Sequence, residues 1–77
     1  MKGSIETRVK AVIARYFGIS PGKVPLDAHV VGDLGADALD LIELGYQLEA
    51  AFDISIPLAV RDSLVTTRDI VNFLRST

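Results

Sequence analysis

The stretch Gly32-Asp33-Leu34-Gly35-Ala36-Asp37-Ala38-Leu39-Asp40 decides how this chain is read, together with the run Leu41 to Asp53 that follows it. Two glycines mark a loop, and a helix starts directly behind them. Asp37 stands at the N-cap position, where its carboxylate can accept from backbone N–H groups left unpaired in the first turn. Asp40, three residues on, completes a capping-box-like pair. Both charges suit the positive end of the helix dipole. Ala38 is therefore expected to be the first residue inside the helix, exposed at a loop tip. A side chain so placed, flanked by acids and little bulk, is open to modification by another enzyme.

The helix is expected over about 38–52, and its residues set at helical intervals form two apolar stripes. Leu41, Leu44, Leu48 and Phe52 fall on one arc, which is expected to face the core. Leu39, Ile42, Tyr46 and Ala50 fall on another, flanked by Glu43, Glu49 and Asp53. A chain of 77 residues has too few neighbouring elements to cover a helix all round. The second stripe is thus expected to be partly exposed, an apolar row rimmed by acids of the kind that forms interfaces. Gly45 lies near the core face, where close approach of another backbone would account for it, since glycine inside a helix costs up to ~1 kcal/mol relative to alanine.

Before this centre, Ser4 can cap a first helix over about 5–17. Its apolar face is Ile5, Val9, Val12, Ile13, Tyr16 and Phe17, and Gly18 suits its C-terminal end. Glu6 and Lys10 stand one turn apart on the other face, which with Arg8 and Arg15 reads as a solvated face. Residues 18–36 hold Pro21, Gly22, Pro25, Gly32 and Gly35, too many breakers for a helix. So long a loop needs anchors, and Ile19, Val24, Leu26, Val30, Val31 and Leu34 can supply them. His29 has no second histidine or cysteine to work with and reads as a loop residue.

After the centre, Ile54-Ser55-Ile56-Pro57 is briefly extended. Pro57 can start a short helix over about 58–63, with Leu58, Ala59, Val60 and Leu64 turned partly inward. Thr66 or Thr67 caps a last helix, with Asp69 at the third position from Thr66. Ile70, Val71, Phe73 and Leu74 supply its apolar residues, and Arg75 suits its C-terminus.

The composition narrows the function classes. The length points to a single domain, 1–77, with a modest core. The chain contains no cysteine, which rules out disulfides and thiolate metal sites. No apolar run approaches a membrane span and no signal-peptide pattern opens the chain, so a cytoplasmic protein with no membrane role is expected. The net charge of −2 conceals segregation: Asp27 to Asp53 holds seven acids and no lysine or arginine, while the remainder holds three acids and eight bases. The acidic middle suits a basic partner and repels nucleic acid. No Ser-His-Asp or Cys-His set is available for an enzyme. Asp33, Asp37 and Asp40 lack the alternating spacing of a calcium loop, so no metal site is expected.

Asp33-Leu34-Gly35-Ala36-Asp37-x-Leu39-Asp40, followed by Ile42-Glu43-Leu44, resembles the prosthetic-group motif of acyl carrier proteins. The likeness continues through the first helix, the long loop, the acidic second helix, Phe52-Asp53, Ile54-x-Ile56-Pro57 and the helix after the threonine pair. It implies an all-α fold, a small four-helix bundle with a long loop between the first two helices and a short third helix. In the family, position x is a serine whose hydroxyl takes a 4′-phosphopantetheine arm, and the arm's thiol carries acyl thioesters in fatty acid or polyketide-type biosynthesis. Here the attachment position is Ala38, whose methyl group has no oxygen to phosphorylate. The resemblance implies docking onto basic patches of a phosphopantetheinyl transferase and of acyl-processing enzymes, through Asp37, Leu39, Asp40, Ile42, Glu43, Tyr46 and Glu49. It further implies an acyl pocket lined by Leu48, Phe52, Ile56 and Leu64, and a monomer that is not an enzyme.

Everything around residue 38 keeps the form of a working site, which favours an engineered Ser→Ala replacement. The alternative is a natural carrier-like protein without an arm, acting as a protein–protein adaptor through the same acidic helix. Two further departures, Ala50-Ala51 where fatty-acid carriers are often acidic and Leu58-Ala59-Val60-Arg61 in the short helix, suggest a more specialised set of partner enzymes.

Overall fold

The computed structural model describes residues 4–77. It has four helices: α1 (Ile5–Phe17), α2 (Ala38–Phe52), α3 (Leu58–Arg61) and α4 (Thr67–Arg75), with a single 3-10 turn at Pro21–Lys23. No strand occurs among the described residues. The expected all-α bundle with a long first loop and a short third helix is the fold observed.

The starts of α1, α2 and α4 and the end of α1 follow from local chemistry. The Ser4 side chain accepts from the Thr7 N–H to start α1, and Gly18 ends it at φ 69°, a left-handed position that costs glycine little. Capping boxes start α2 (Asp37 with Asp40) and α4 (Thr66 with Asp69). Of the two threonines considered, Thr66 is the cap, while Thr67 is fully buried inside the first turn.

α1 packs against both α2 and α4 and against the 3-10 turn. Val9, Ile13, Leu44, Leu48, Ile70 and Val71 meet in the core, joined by Val24 and Val30 from the loop. The loop is tied to the entry of α4 by backbone hydrogen bonds, from Val30 N–H to the Val65 carbonyl (3.0 Å) and from Thr67 N–H to the Ala28 carbonyl (3.1 Å). These bonds satisfy backbone groups in a segment with no helix of its own.

Three expectations change. The short helix ends at Arg61 rather than near residue 63, because Ser63 and Leu64 donate to the Val60 and Arg61 carbonyls in tight turns instead. Within it Leu58 points outward, 74% exposed, and Ala59 is exposed as well. Val31 is 47% exposed, so it does not anchor the loop as Val24 and Val30 do.

Candidate functional site

The start of α2 is held from three sides. Asp37 Oδ1 accepts from the Asp40 N–H at 2.8 Å, and Asp40 Oδ2 accepts from the Asp37 N–H at 3.1 Å. From α1, the Tyr16 hydroxyl donates to Asp40 Oδ1 at 2.9 Å. The Asp37 N–H first, and the Tyr16 hydroxyl next, hold the Asp40 carboxyl below the usual carboxylate range. Partial burial, with the neighbouring Asp40 and Glu43 carboxylates, pushes the Tyr16 phenol up to about 12. On the loop side, His29 Nδ1 accepts from the Gly32 N–H at 2.9 Å, and Asp33 Oδ2 accepts from the His29 N–H at 2.8 Å. His29 thus serves the turn that delivers the chain to Ala38, as a loop histidine should. No group of three histidine, aspartate or glutamate side chains among the described residues is placed to hold a metal ion.

Ala38 is exposed at the tip of this braced turn. Along α2 the second apolar stripe is also exposed: Leu39 by 67%, Ile42 by 43% and Tyr46 by 59%. Of the acids expected to rim it, Glu43 and Asp53 are exposed, Asp53 as the left-handed C-cap of α2, and the acids expected to dock are not equivalent. Asp37 and Glu43 project into solvent. Asp40 is half-buried and engaged by Tyr16. Glu49 departs from the expected rim, because its carboxylate is turned toward α3 and the segment before it. Its Oε2 accepts from the Ile56 N–H at 2.6 Å, and its Oε1 pairs with Arg61 at 3.2 Å. Glu49 therefore braces the far end of α2 instead of extending the open acidic face.

Behind Ala38 lies a cavity of about 460 Å³ between α2, α3, the loop and the entry of α4. Such a volume is in the range of small-molecule pockets. Ala38 and Leu41 belong to its wall, as do Leu44, Leu48, Ile56 and Leu64. Leu41, expected in the core, is 38% exposed. Of the four residues expected to line a pocket, Leu48, Ile56 and Leu64 do, and Phe52 does not. The last turn of α2 carries the Phe52 ring toward α1, where the Arg8 guanidinium covers it at 4.3 Å from the ring centroid. The same Arg8 donates to the Ala51 carbonyl at 2.9 Å. It thereby serves the C-terminal end of a helix whose last turn has no basic residue of its own.

Sequence reasoning singled out Arg61 as a departure in the short helix but did not place it against α2. Its guanidinium, not another backbone, is what approaches Gly45: a Cβ on Gly45 would stand 3.1 Å from Arg61 Cζ. The Tyr46 ring centroid lies 5.1 Å from the same carbon. The basic residue in an otherwise apolar short helix was a visible signal, but its partners on α2 are set by tertiary packing.

The chain matches the phosphopantetheine attachment site family over residues 7–74. It belongs to the acyl carrier protein family. An acyl carrier protein of Bdellovibrio bacteriovorus is 38% identical over 71 residues, which span 92% of this chain and 91% of that protein. An acyl carrier protein of Syntrophobacter fumaroxidans is likewise 38% identical over 71 residues, spanning 92% of this chain and 88% of its own. In this acyl carrier protein the first residue of α2 is an alanine. A methyl group cannot form a phosphate ester, so residue 38 as it stands does not fit covalent attachment of phosphopantetheine. What the structure presents here is an exposed acidic and apolar helix face with a cavity beside it.

Proposed function

We propose that this chain is an acyl carrier protein of fatty acid or polyketide-type biosynthesis that lacks one atom for loading, the hydroxyl oxygen of a serine at residue 38. The observation that carries this reading is the braced start of α2. The capping box, the Tyr16 hydroxyl bond and the His29 turn hold residue 38 exposed at the rim of a largely aliphatic cavity. The carrier's own part is binding. Asp37, Leu39, Ile42, Glu43 and Tyr46 present the docking face to basic patches of a phosphopantetheinyl transferase and of acyl-processing enzymes. Asp40 and Glu49 hold that face in shape. Leu48, Ile56 and Leu64 shelter an acyl chain, and the carrier acts as a monomer without catalysing a reaction itself. A face that keeps its shape while residue 38 loses its oxygen supports an engineered Ser→Ala form. Ala50 and Ala51, both exposed, together with Arg61 neutralising Glu49, reduce the acidity of the far half of α2 and favour a specialised set of partners.

A protein that docks but cannot be loaded must compete with one that can. Added to a transferase that is loading another acyl carrier protein, this chain is expected to raise the apparent KM without lowering kcat and without gaining mass. Absence of inhibition at a large excess of this chain would contradict the docking half of the proposal. Ala38 itself supports a second reading, a natural adaptor of the same fold that never bears an arm. The native codon at residue 38 separates the two.

A further inference from the structure

Arg61 is the basic residue of α3, and its side chain is laid against α2. Its Nη2 lies 3.2 Å from Glu49 Oε1, and both side chains are largely covered, at 16% and 22% exposure. The guanidinium also occupies the space over Gly45, where a Cβ would stand 3.1 Å from both Cζ and Nε. Held from these two sides, its central carbon sits over the Tyr46 ring, 5.1 Å from the centroid. That is within the reach of a cation–π contact. Tyr46 nevertheless stays exposed. The ring is therefore backed by a fixed cation while the residue remains open to a partner. Leu39 and Ile42, exposed on the same stripe, are aliphatic and cannot be held in this way.

We propose that Arg61 is a positioning residue for docking: from α3 it holds the Tyr46 ring in one orientation, as a preformed apolar anchor for the partner. This deepens the docking reading above and rests on it. An aromatic side chain brings a large contact area to an interface. One already ordered in the free protein loses less conformational entropy on binding. The same contacts set the chemistry of the partner. Glu43 is the last acid of α2 that projects into solvent, because Glu49 is taken up by Arg61 and the Ile56 N–H. Beyond Glu43 the face continues with Tyr46 and Ala50, and the next open acid is Asp53, the C-cap. The matching surface belongs to a protein with cationic side chains opposite Asp37 and Glu43. Its apolar pocket for Tyr46 lies about 4.5 Å further along the helix axis. A partner basic along its whole contact would set cations where α2 offers them no free carboxylate.

Because Ala38 takes no arm, titrating the chain into a broad-specificity phosphopantetheinyl transferase, shown active on another carrier, reads docking alone. Tyr46→Ala is expected to raise Kd about tenfold. Arg61→Met is expected to raise Kd about threefold more in the parent than in the Tyr46→Ala background. The freed Glu49 adds the same charge in both backgrounds and cancels from that comparison. In the free protein the three-bond couplings of Tyr46 should report one χ1 rotamer, and in Arg61→Met an average over several. An Arg61→Met effect of equal size in both backgrounds would overturn the proposal, as would a Tyr46 side chain already averaged in the parent. Tyr46→Ala with an unchanged Kd would overturn it as well, and weakened binding of Glu43→Gln in the same assay would show the docking reading intact. If the parent does not bind the transferase, the docking reading falls, and this inference with it. Should Arg61→Met fail to fold, Arg61→Gln takes its place, since it removes the cation and keeps a hydrogen-bonding end for Glu49.

Discussion

At the first turn of α2 the Asp40 carboxylate accepts from the Asp37 N–H with one oxygen and from the Tyr16 hydroxyl with the other. The pair of spacings that makes a capping box is visible in the sequence, three residues apart. The Tyr16 bond is not, because its partners lie 24 residues apart and meet only once α1 packs on α2. Since the folded state holds the Asp40 carboxyl below its ordinary value, its stabilisation is present above the unfolded pKa, about 3.9. It is lost as pH falls from there through the lower folded value. Asp69, at the same position of the α4 capping box, is held down chiefly by the Thr66 N–H and follows the same sign. Carboxyl-carbon NMR titration should show both residues titrating below the ordinary aspartate value. In Tyr16→Phe the Asp40 midpoint should rise while that of Asp69 stays put. Tyr16 has the opposite sign: its phenol is raised, so its contribution is intact below about pH 10 and is lost as pH climbs toward about 12. Tyr16→Phe should therefore be less sensitive than the parent to unfolding in that alkaline window, as read by circular dichroism. Asp37→Ala removes the cap itself and should cost about 1 kcal/mol in chemical denaturation.

The four helices follow from apolar periodicity, caps and breakers, and α1 and α2 end where their sequences say they should. The short helix was less legible. A four-residue helix has too few positions for a periodic signal, and Leu58 is apolar yet faces solvent at the cavity mouth. Gly45 shows the same limit. Its place near the core face of α2 called for a close neighbour, but nothing local identified that neighbour as the Arg61 guanidinium. Gly45→Ala gains helix propensity of up to about 1 kcal/mol, opposed by a Cβ that crowds Arg61 at 3.1 Å. The two effects separate in a double-mutant cycle. The gain should be full in an Arg61→Ala background and smaller, or reversed, when Arg61 is present. Equal gains in both backgrounds would remove Arg61 as the reason for the glycine.

Over the whole molecule, the structure divides the acids of α2 and its cap by role. Asp37 and Glu43 are open to solvent, whereas Glu49 is consumed by Arg61 and the Ile56 N–H. Charge patterning alone gave these residues equal weight, because sequence records a charge but not its partner. Glu43→Gln should weaken transferase binding several-fold at low salt with little change in Tm, and the difference should shrink as salt screens exposed charges. Glu49→Gln should do the reverse, lowering Tm while leaving the salt dependence of binding nearly unchanged. The cavity, too, was only partly legible: Leu48, Ile56 and Leu64 reach it, while the last turn of α2 takes Phe52 to Arg8 instead.

As proposed above, this carrier is complete except for one oxygen atom at residue 38. This is tested most directly by intact-mass spectrometry of Ala38→Ser beside the unaltered chain, each incubated with coenzyme A and a broad-specificity phosphopantetheinyl transferase. The serine form is expected to gain the mass of one phosphopantetheine group and the alanine form none. An unmodified serine form, with the transferase shown active on another carrier, would contradict it and make the adaptor reading the better one.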